Sequence, residues 1–161
     1  MKTYLKRLIF LVTIFLLCGF FWPKADWVSV NNAIDKQYPS VASITIDSLN
    51  NQLRHNKDLS IIDVRPTEEY KVSHLPGAIN ITDVKKVKLP KNAIVIVYCS
   101  VGLRSANFAK KLGKEGYTNV FNLRGSIFDW ANKGYLLKLG EQNVTVVHPY
   151  SKKWSRLLNE S

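Results

Sequence analysis

The sequence predicts an α/β domain built on a mostly parallel central sheet with helices on both faces, preceded by an apolar N-terminal helix. Three observations lead there. Short apolar runs alternate along the chain with helical spacing and caps, the order that produces parallel strands joined by helical crossovers. The strongest run, Ala93-Ile94-Val95-Ile96-Val97-Tyr98, shows no polar alternation, as in a strand covered on both faces. The chain has 161 residues, 46% apolar and 22% charged, enough for one core and a modest appendage.

At the N-terminus, Lys2, Lys6 and Arg7 precede an uncharged run from Leu8 to Trp22. As a helix this run spans roughly 22 Å at ~1.5 Å per residue, short of a ~30 Å hydrocarbon core. Residues 1–25 therefore read as a signal-anchor or a cleaved signal peptide, with residues 8–22 meeting the membrane. Phe20, Phe21, Trp22 and Trp27 suit the membrane boundary, and the positive flank places the rest of the chain on the extracytoplasmic side.

Residues 26–42 are expected to form a linker or short helix, 43–140 the domain proper, and 141–161 a basic-aromatic extension ending in Lys152-Lys153-Trp154-Ser155-Arg156-Leu157-Leu158. Within the domain, Ser43–Ile46 is strand-like, and Asp47 or Ser48 can cap a helix through Leu53. Leu59–Val64 is a buried-strand run, and Pro66–Tyr70 opens a helix with Thr67 as cap. The turn His74-Leu75-Pro76-Gly77 leads into a brief strand, Ala78–Ile81. After the Ala93–Tyr98 strand and a loop, Ser105–Lys114 has helical apolar spacing and stops at Gly116. A strand at Asn119–Leu123 and a helix from Ser126 to Lys133 complete the pattern.

Lys and Arg total 23 against 12 Asp and Glu, a net charge of +11, which favours anionic small molecules or surfaces as partners. The group Lys85, Lys86, Lys88 and Lys91 has no nucleic-acid-reading motif beside it and is expected to be a solvated face. Only two cysteines occur, Cys18 in the apolar run and Cys99 in a loop, so no disulfide framework stabilises the domain.

That loop, Cys99-Ser100-Val101-Gly102-Leu103-Arg104-Ser105, lies between the best strand and the best helix. Sites in open α/β sheets lie at the carboxyl ends of strands, and a Cys there faces a helix N-terminus whose free N–H groups favour negative charge. This lowers a thiol pKa and populates the nucleophilic thiolate. Gly102 lets the loop curl into an anion cradle, and Arg104 adds a fixed cation. No acid occurs between Asp83 and Glu115 to oppose that polarity.

With these residues in order, the chain resembles the single-domain rhodanese-like sulfurtransferases over Ile44–Leu137. The matching stretches are Ile61–Arg65 with Glu69-Tyr70, His74–Asn80, Cys99–Ser105, and Asn119-Val120 leading to Leu123-Arg124-Gly125-Ser126, then Trp130 and Gly134-Tyr135. The resemblance implies a rhodanese fold and ping-pong sulfur transfer without metal or organic cofactor. Cys99 would take the outer sulfur of thiosulfate or a similar small anionic donor as a persulfide, and pass it to a separate thiol or to cyanide. The residues Ser100, Val101, Gly102, Leu103, Arg104 and Ser105 would bind the substrate, joined by Arg65, while Asp63 would support the loop. Arg65 is also four residues from Glu69, the spacing of a surface ion pair. His74 is expected in a structural turn and Trp130 in the core.

Two departures from the family pattern are Ser73, where a Gly usually precedes the His-x-Pro-Gly turn, and Ser126 in place of the second of paired glycines. Two other functions stay open. One is a catalytically idle rhodanese-like module that binds a partner protein at the membrane. The other is a cysteine phosphatase or arsenate reductase, opposed by a loop with four residues between Cys99 and Arg104 where those enzymes have five.

Overall fold

The computed structural model describes residues 26–55 and 58–159. The apolar run 8–22 and Cys18 lie outside them, and among the described residues no helix is long and apolar enough to cross a membrane.

The chain enters through helix α1 (Trp27–Gln37), started by Asp26, whose carboxylate accepts from the Ser29 N–H at 2.9 Å. Strand β1 (Ala42–Ile44) is followed by α2 (Ile46–Arg54), β2 (Ser60–Asp63), the single turn α3 (Thr67–Tyr70) and β3 (Ala78–Asn80). After a 3₁₀ turn at Val84–Lys86 come β4 (Ile94–Tyr98), α4 (Leu103–Lys114), β5 (Asn119–Leu123) and α5 (Ser126–Asn132). A hairpin, β6 (Leu137–Leu139) and β7 (Gln142–Val144), precedes a final 3₁₀ turn at Ser155–Leu157. The five main strands form one parallel sheet in the order β1-β5-β4-β2-β3. This is the parallel α/β architecture that the alternation of strands and helices implied.

Side-chain alternation along the central strands divides the apolar residues between two faces. Ile61, Ile96 and Leu123 pack with Val30 and Ile34 of α1, Leu49 of α2, and Ile127, Phe128 and Trp130 of α5. Ile62, Val95 and Val97 pack with Phe108, Ala109 and Leu112 of α4. Both faces are therefore covered, which is why β4 carries no polar residue between Ile94 and Tyr98.

Several boundaries differ from the sequence reading. Thr45, not Asp47 or Ser48, caps α2, its hydroxyl accepting from the Ser48 N–H, and Ile46 belongs to the helix. Pro66 rather than Thr67 precedes α3, and the Thr67 hydroxyl instead donates to Asn80 Oδ1. Helix α4 starts at Leu103, two residues before Ser105, because Gly102 takes a φ of +108° and turns the chain directly into the helix. Within residues 26–42 the short-helix alternative is realised as α1, which buries Val30 and Ile34 and is part of the core.

The C-terminal extension also packs on the domain. Leu157 is buried in the core, Val147, Trp154 and Leu158 pack against the same cluster, and the Asn132 side chain donates to the Leu157 carbonyl and accepts from the Asn159 N–H. The 137–144 hairpin docks through a pair of backbone hydrogen bonds between His74 and Lys138. His74 is thus a turn residue, stacked on Tyr70, and Trp130 is a core residue whose indole N–H reaches the Leu136 carbonyl.

Arg65 departs most from expectation. It is 0% exposed; its Nε and one terminal nitrogen bind the Asp63 carboxylate, and that terminal nitrogen also donates to the Ser73 carbonyl. Neither an anion-positioning role nor a surface pair with Glu69 fits that burial. Its charge is spent on joining the end of β2 to the 73–77 turn, which accounts for the motif containing both Asp63 and Arg65. Breaking a buried ion pair strands the remaining charge at a cost of about 3–5 kcal/mol. Asp63→Ala is therefore expected to lower unfolding stability by about that amount, read as a reduced urea midpoint with an unchanged slope.

Candidate active site

The site lies where the carboxyl ends of β2, β4 and β5 meet. Strand β4 delivers Cys99 one residue past its last paired position, and Gly102 then turns the chain so that α4 begins beside the sulfur. A Cβ at Gly102 would lie 3.2 Å from Ile34 Cδ1 and would require the same positive φ, so the curl depends on glycine.

The loop backbone is held from two sides. The Cys99 N–H donates to the Ser126 hydroxyl, and the carbonyls of Cys99 and Ser100 accept from the first free amides of α5, Ile127 N–H and Phe128 N–H. Ser126 retains the glycine-like conformation of the position it replaces, with φ +52°, and its hydroxyl also donates to the Leu123 carbonyl. This departure from the family pattern thereby satisfies the buried N–H of Cys99 itself.

Cys99 is 1% exposed and belongs to the apolar cluster that includes Ile62, Val64 and Phe108. Burial alone pushes a thiol up. Against it stand the Arg104 charge, the Ser105 hydroxyl 3.6 Å from Sγ, the Ser105 backbone and the Gly102 N–H at 3.2 Å. Together these outweigh burial and bring the Cys99 pKa below the ordinary thiol value of 9.0. The Ser105 hydroxyl also reaches Asn122 Oδ1 at 2.6 Å and the Gly102 carbonyl, while Asn122 Nδ2 donates to that same carbonyl. One hydroxyl proton cannot serve all three acceptors. Asn122 accordingly sets where Ser105 sits, and the Gly102 N–H is the closest donor to the sulfur.

Glu69 was not singled out as a site residue by its place in the sequence. It is 4% exposed and forms a fork with Arg104: Oε1 accepts from Nη1 at 2.8 Å and Oε2 from Nη2 at 2.9 Å. The Ser100 hydroxyl closes the network, donating to Oε2 and accepting from Arg104 Nη2. Burial pushes the Glu69 carboxyl up, but the hydrogen bonds and charge of Arg104, then Ser100 and Arg65, bring it below the ordinary value of 4.5. Arg104 in turn stays cationic across the accessible pH range.

The remaining expected residues divide accordingly. Cys99, Gly102, Arg104 and Ser105 meet around the sulfur, while Ser100 acts through Arg104 and Glu69. Val101 is a buried packing residue, Leu103 points partly into solvent, and Arg65 is buried away on Asp63. Among the described residues no three His, Cys, Asp or Glu side chains come together as a metal site, and Cys99 is the only cysteine.

A family model for the rhodanese-like domain matches residues 45–133. The chain is 32% identical over 98 residues to a sulfurtransferase of Allochromatium vinosum, covering 58% of this chain and 92% of that protein. It is 29% identical over 98 residues to the putative sulfur carrier protein YrkF of Bacillus subtilis, covering 58% of this chain and 53% of that one. A crystal structure of a rhodanese-like domain protein from Staphylococcus aureus superimposes with a TM-score of 0.55 at 30% identity, over 63% of this chain and all of that one.

Two outcomes follow from the charges. The alkylation rate of Cys99 by iodoacetamide, followed by peptide mass, should titrate with a midpoint below that of an ordinary thiol, and Arg104→Ala should move the midpoint upward. For Glu69 the folded pKa is depressed, so its contribution to stability is complete above the ordinary carboxyl value of 4.5 and is lost as pH falls through its lower folded value. Glu69→Gln should cost about 2 kcal/mol at neutral pH and flatten the acid limb of a plot of unfolding free energy against pH.

Proposed function

The chain belongs to the rhodanese-like domain family, and from that premise we propose that it transfers a sulfane sulfur through a Cys99 persulfide. The observation that carries this reading is the set of groups around a buried thiol: the Gly102 N–H 3.2 Å from Sγ, the Ser105 hydroxyl 3.6 Å from it, and Arg104 fixed on Glu69 at the start of the same helix. The sulfur is removed from water yet held toward its ionised form by Arg104, Ser105 and the Gly102 N–H.

In the first half-reaction the Cys99 thiolate attacks the outer sulfur of thiosulfate or a similar donor. The new S–S bond forms as the donor's S–S bond breaks, and its electron pair leaves on sulfite. The charge now lies on the terminal sulfur of the persulfide, one bond farther from the backbone than Sγ. The N-terminus of α4 and Arg104 supply the positive potential that stabilises it, as donors in an oxyanion hole stabilise oxygen. In the second half-reaction cyanide or a thiolate attacks the terminal sulfur, and the bonding electrons return to Cys99 as thiolate. No proton transfer to a protein base is needed in either step with anionic reactants, consistent with His74 being occupied in a turn.

Cys99 is the only cysteine among the described residues, and the acceptor assigned by this reading is a separate thiol or cyanide. Incubation of the full chain with thiosulfate should add the mass of one sulfur atom at the Cys99 peptide, and cyanide should remove it with formation of thiocyanate. Cys99→Ser should abolish both while leaving the unfolding transition in place. A folded chain that gains no sulfur from thiosulfate or from a persulfide donor would overturn the proposal.

A further inference from the structure

The family match ends at residue 133, yet the chain beyond it returns to the site. Val147 on one side and Trp154, Leu157 and Leu158 on the other are packed on the core, which pins both ends of the segment between them. At its middle, the Ser151 N–H donates to the Pro149 carbonyl at 2.6 Å and closes a three-residue turn with Tyr150 at φ +59°. Few bulky side chains adopt that backbone conformation. The Tyr150 N–H is taken by His148 Nδ1 at 3.1 Å. The outcome of the turn is the position of one ring: the centroid of Tyr150 lies 4.4 Å from Cζ of Arg104.

Arg104 is the half-open member of the site, its side chain 30% exposed whereas Cys99 is 1% exposed. Glu69 spans the two terminal nitrogens of the guanidinium, Ser100 accepts from Nη2, and Tyr150 lies against its face. Three of its five N–H groups are spent on those partners; among the described residues the Nε–H and one Nη1–H remain, on opposite edges of the plane, so a single one of them faces an anion arriving from either side. Hydrogen bonds in the plane of a guanidinium fix its position but oppose tilting out of that plane less strongly. An aromatic ring on its face opposes that tilt and is attracted to the charge.

We propose that Tyr150 is a positioning residue that acts through Arg104 to select anionic sulfur donors. It holds the guanidinium in the plane where its charge and one remaining N–H meet a small oxyanion as its outer sulfur reaches Cys99. The ring face performs this role. The phenol hydroxyl is dispensable, and 44% of the residue remains exposed to solvent. The choice of sulfur donor rests on the sulfur-transfer reading above, whereas the effect on anions arriving at Cys99 does not.

The experiment uses the full chain with Tyr150→Ala and Tyr150→Phe. Each protein is treated separately with iodoacetate, which is anionic, and iodoacetamide, its neutral counterpart, and labelling at the Cys99 peptide is timed by mass. Tyr150→Ala should lower the iodoacetate rate relative to the iodoacetamide rate by about fivefold, and Tyr150→Phe should restore the ratio. With thiosulfate, Tyr150→Ala should raise KM by a similar factor with kcat little changed. An unchanged labelling ratio overturns the proposal, and so does an equal rise in both rates, which would make the ring a steric cover only. Failure of the wild-type chain to accept sulfur would instead count against the sulfur-transfer reading, because the labelling ratio reads Arg104 without it.

Discussion

The carboxylate of Glu69 is the anchor of the catalytic loop. It projects from the single turn after β2, is almost wholly buried, and takes both terminal nitrogens of Arg104 together with the Ser100 hydroxyl. A carboxylate removed from water needs its charge matched and its lone pairs occupied, and this one obtains both from the loop that carries Cys99. The dependence runs both ways. Arg104 without Glu69 would be a long side chain free to sample solvent, and its charge would reach Cys99 only part of the time. Held in the fork, it acts as a fixed cation beside the thiol, and a buried sulfur is thereby kept below its ordinary pKa.

The loop is kept in shape by a second set of bonds that involve no charge. Residues 99 and 100 lie at two helix N-termini at once: α4 starts beside the sulfur, and the first amides of α5 take the two loop carbonyls. Ser126 contributes its hydroxyl to the Cys99 N–H from a backbone conformation that glycine adopts more readily. The backbone strain at that residue is offset by two hydrogen bonds in a place water does not reach. A scaffold departure visible in the sequence thus becomes a support for the nucleophile.

Much of the architecture could be read along the chain. The uninterrupted apolar run at 94–98 announced a strand with two covered faces, and the order of strands and helices announced a parallel sheet. Cys99, Gly102, Arg104 and Ser105 could be picked out together because a strand-loop-helix junction brings near neighbours in sequence to one point. The misreadings have a common cause. Glu69 was given to Arg65, its neighbour at helical spacing, whereas its partner Arg104 is 35 residues away. Arg65 instead turns inward to Asp63, two residues before it, a choice decided by the buried end of β2. The basic-aromatic tail returns to the core, and its apolar residues show no periodicity that would reveal which part does so.

Local chemistry along the chain was enough to establish the element types, the nucleophile and the polarity of its loop, because these depend on side-chain pattern, glycine conformations and helix ends within a few residues. It could not establish which charges pair, which arginine faces the sulfur and which is buried, or that Tyr150 comes to lie over Arg104. Those outcomes depend on which surfaces the sheet order brings together and on which groups lose contact with water. Charge pairing and burial are properties of the closed fold, and no short window of sequence contains them.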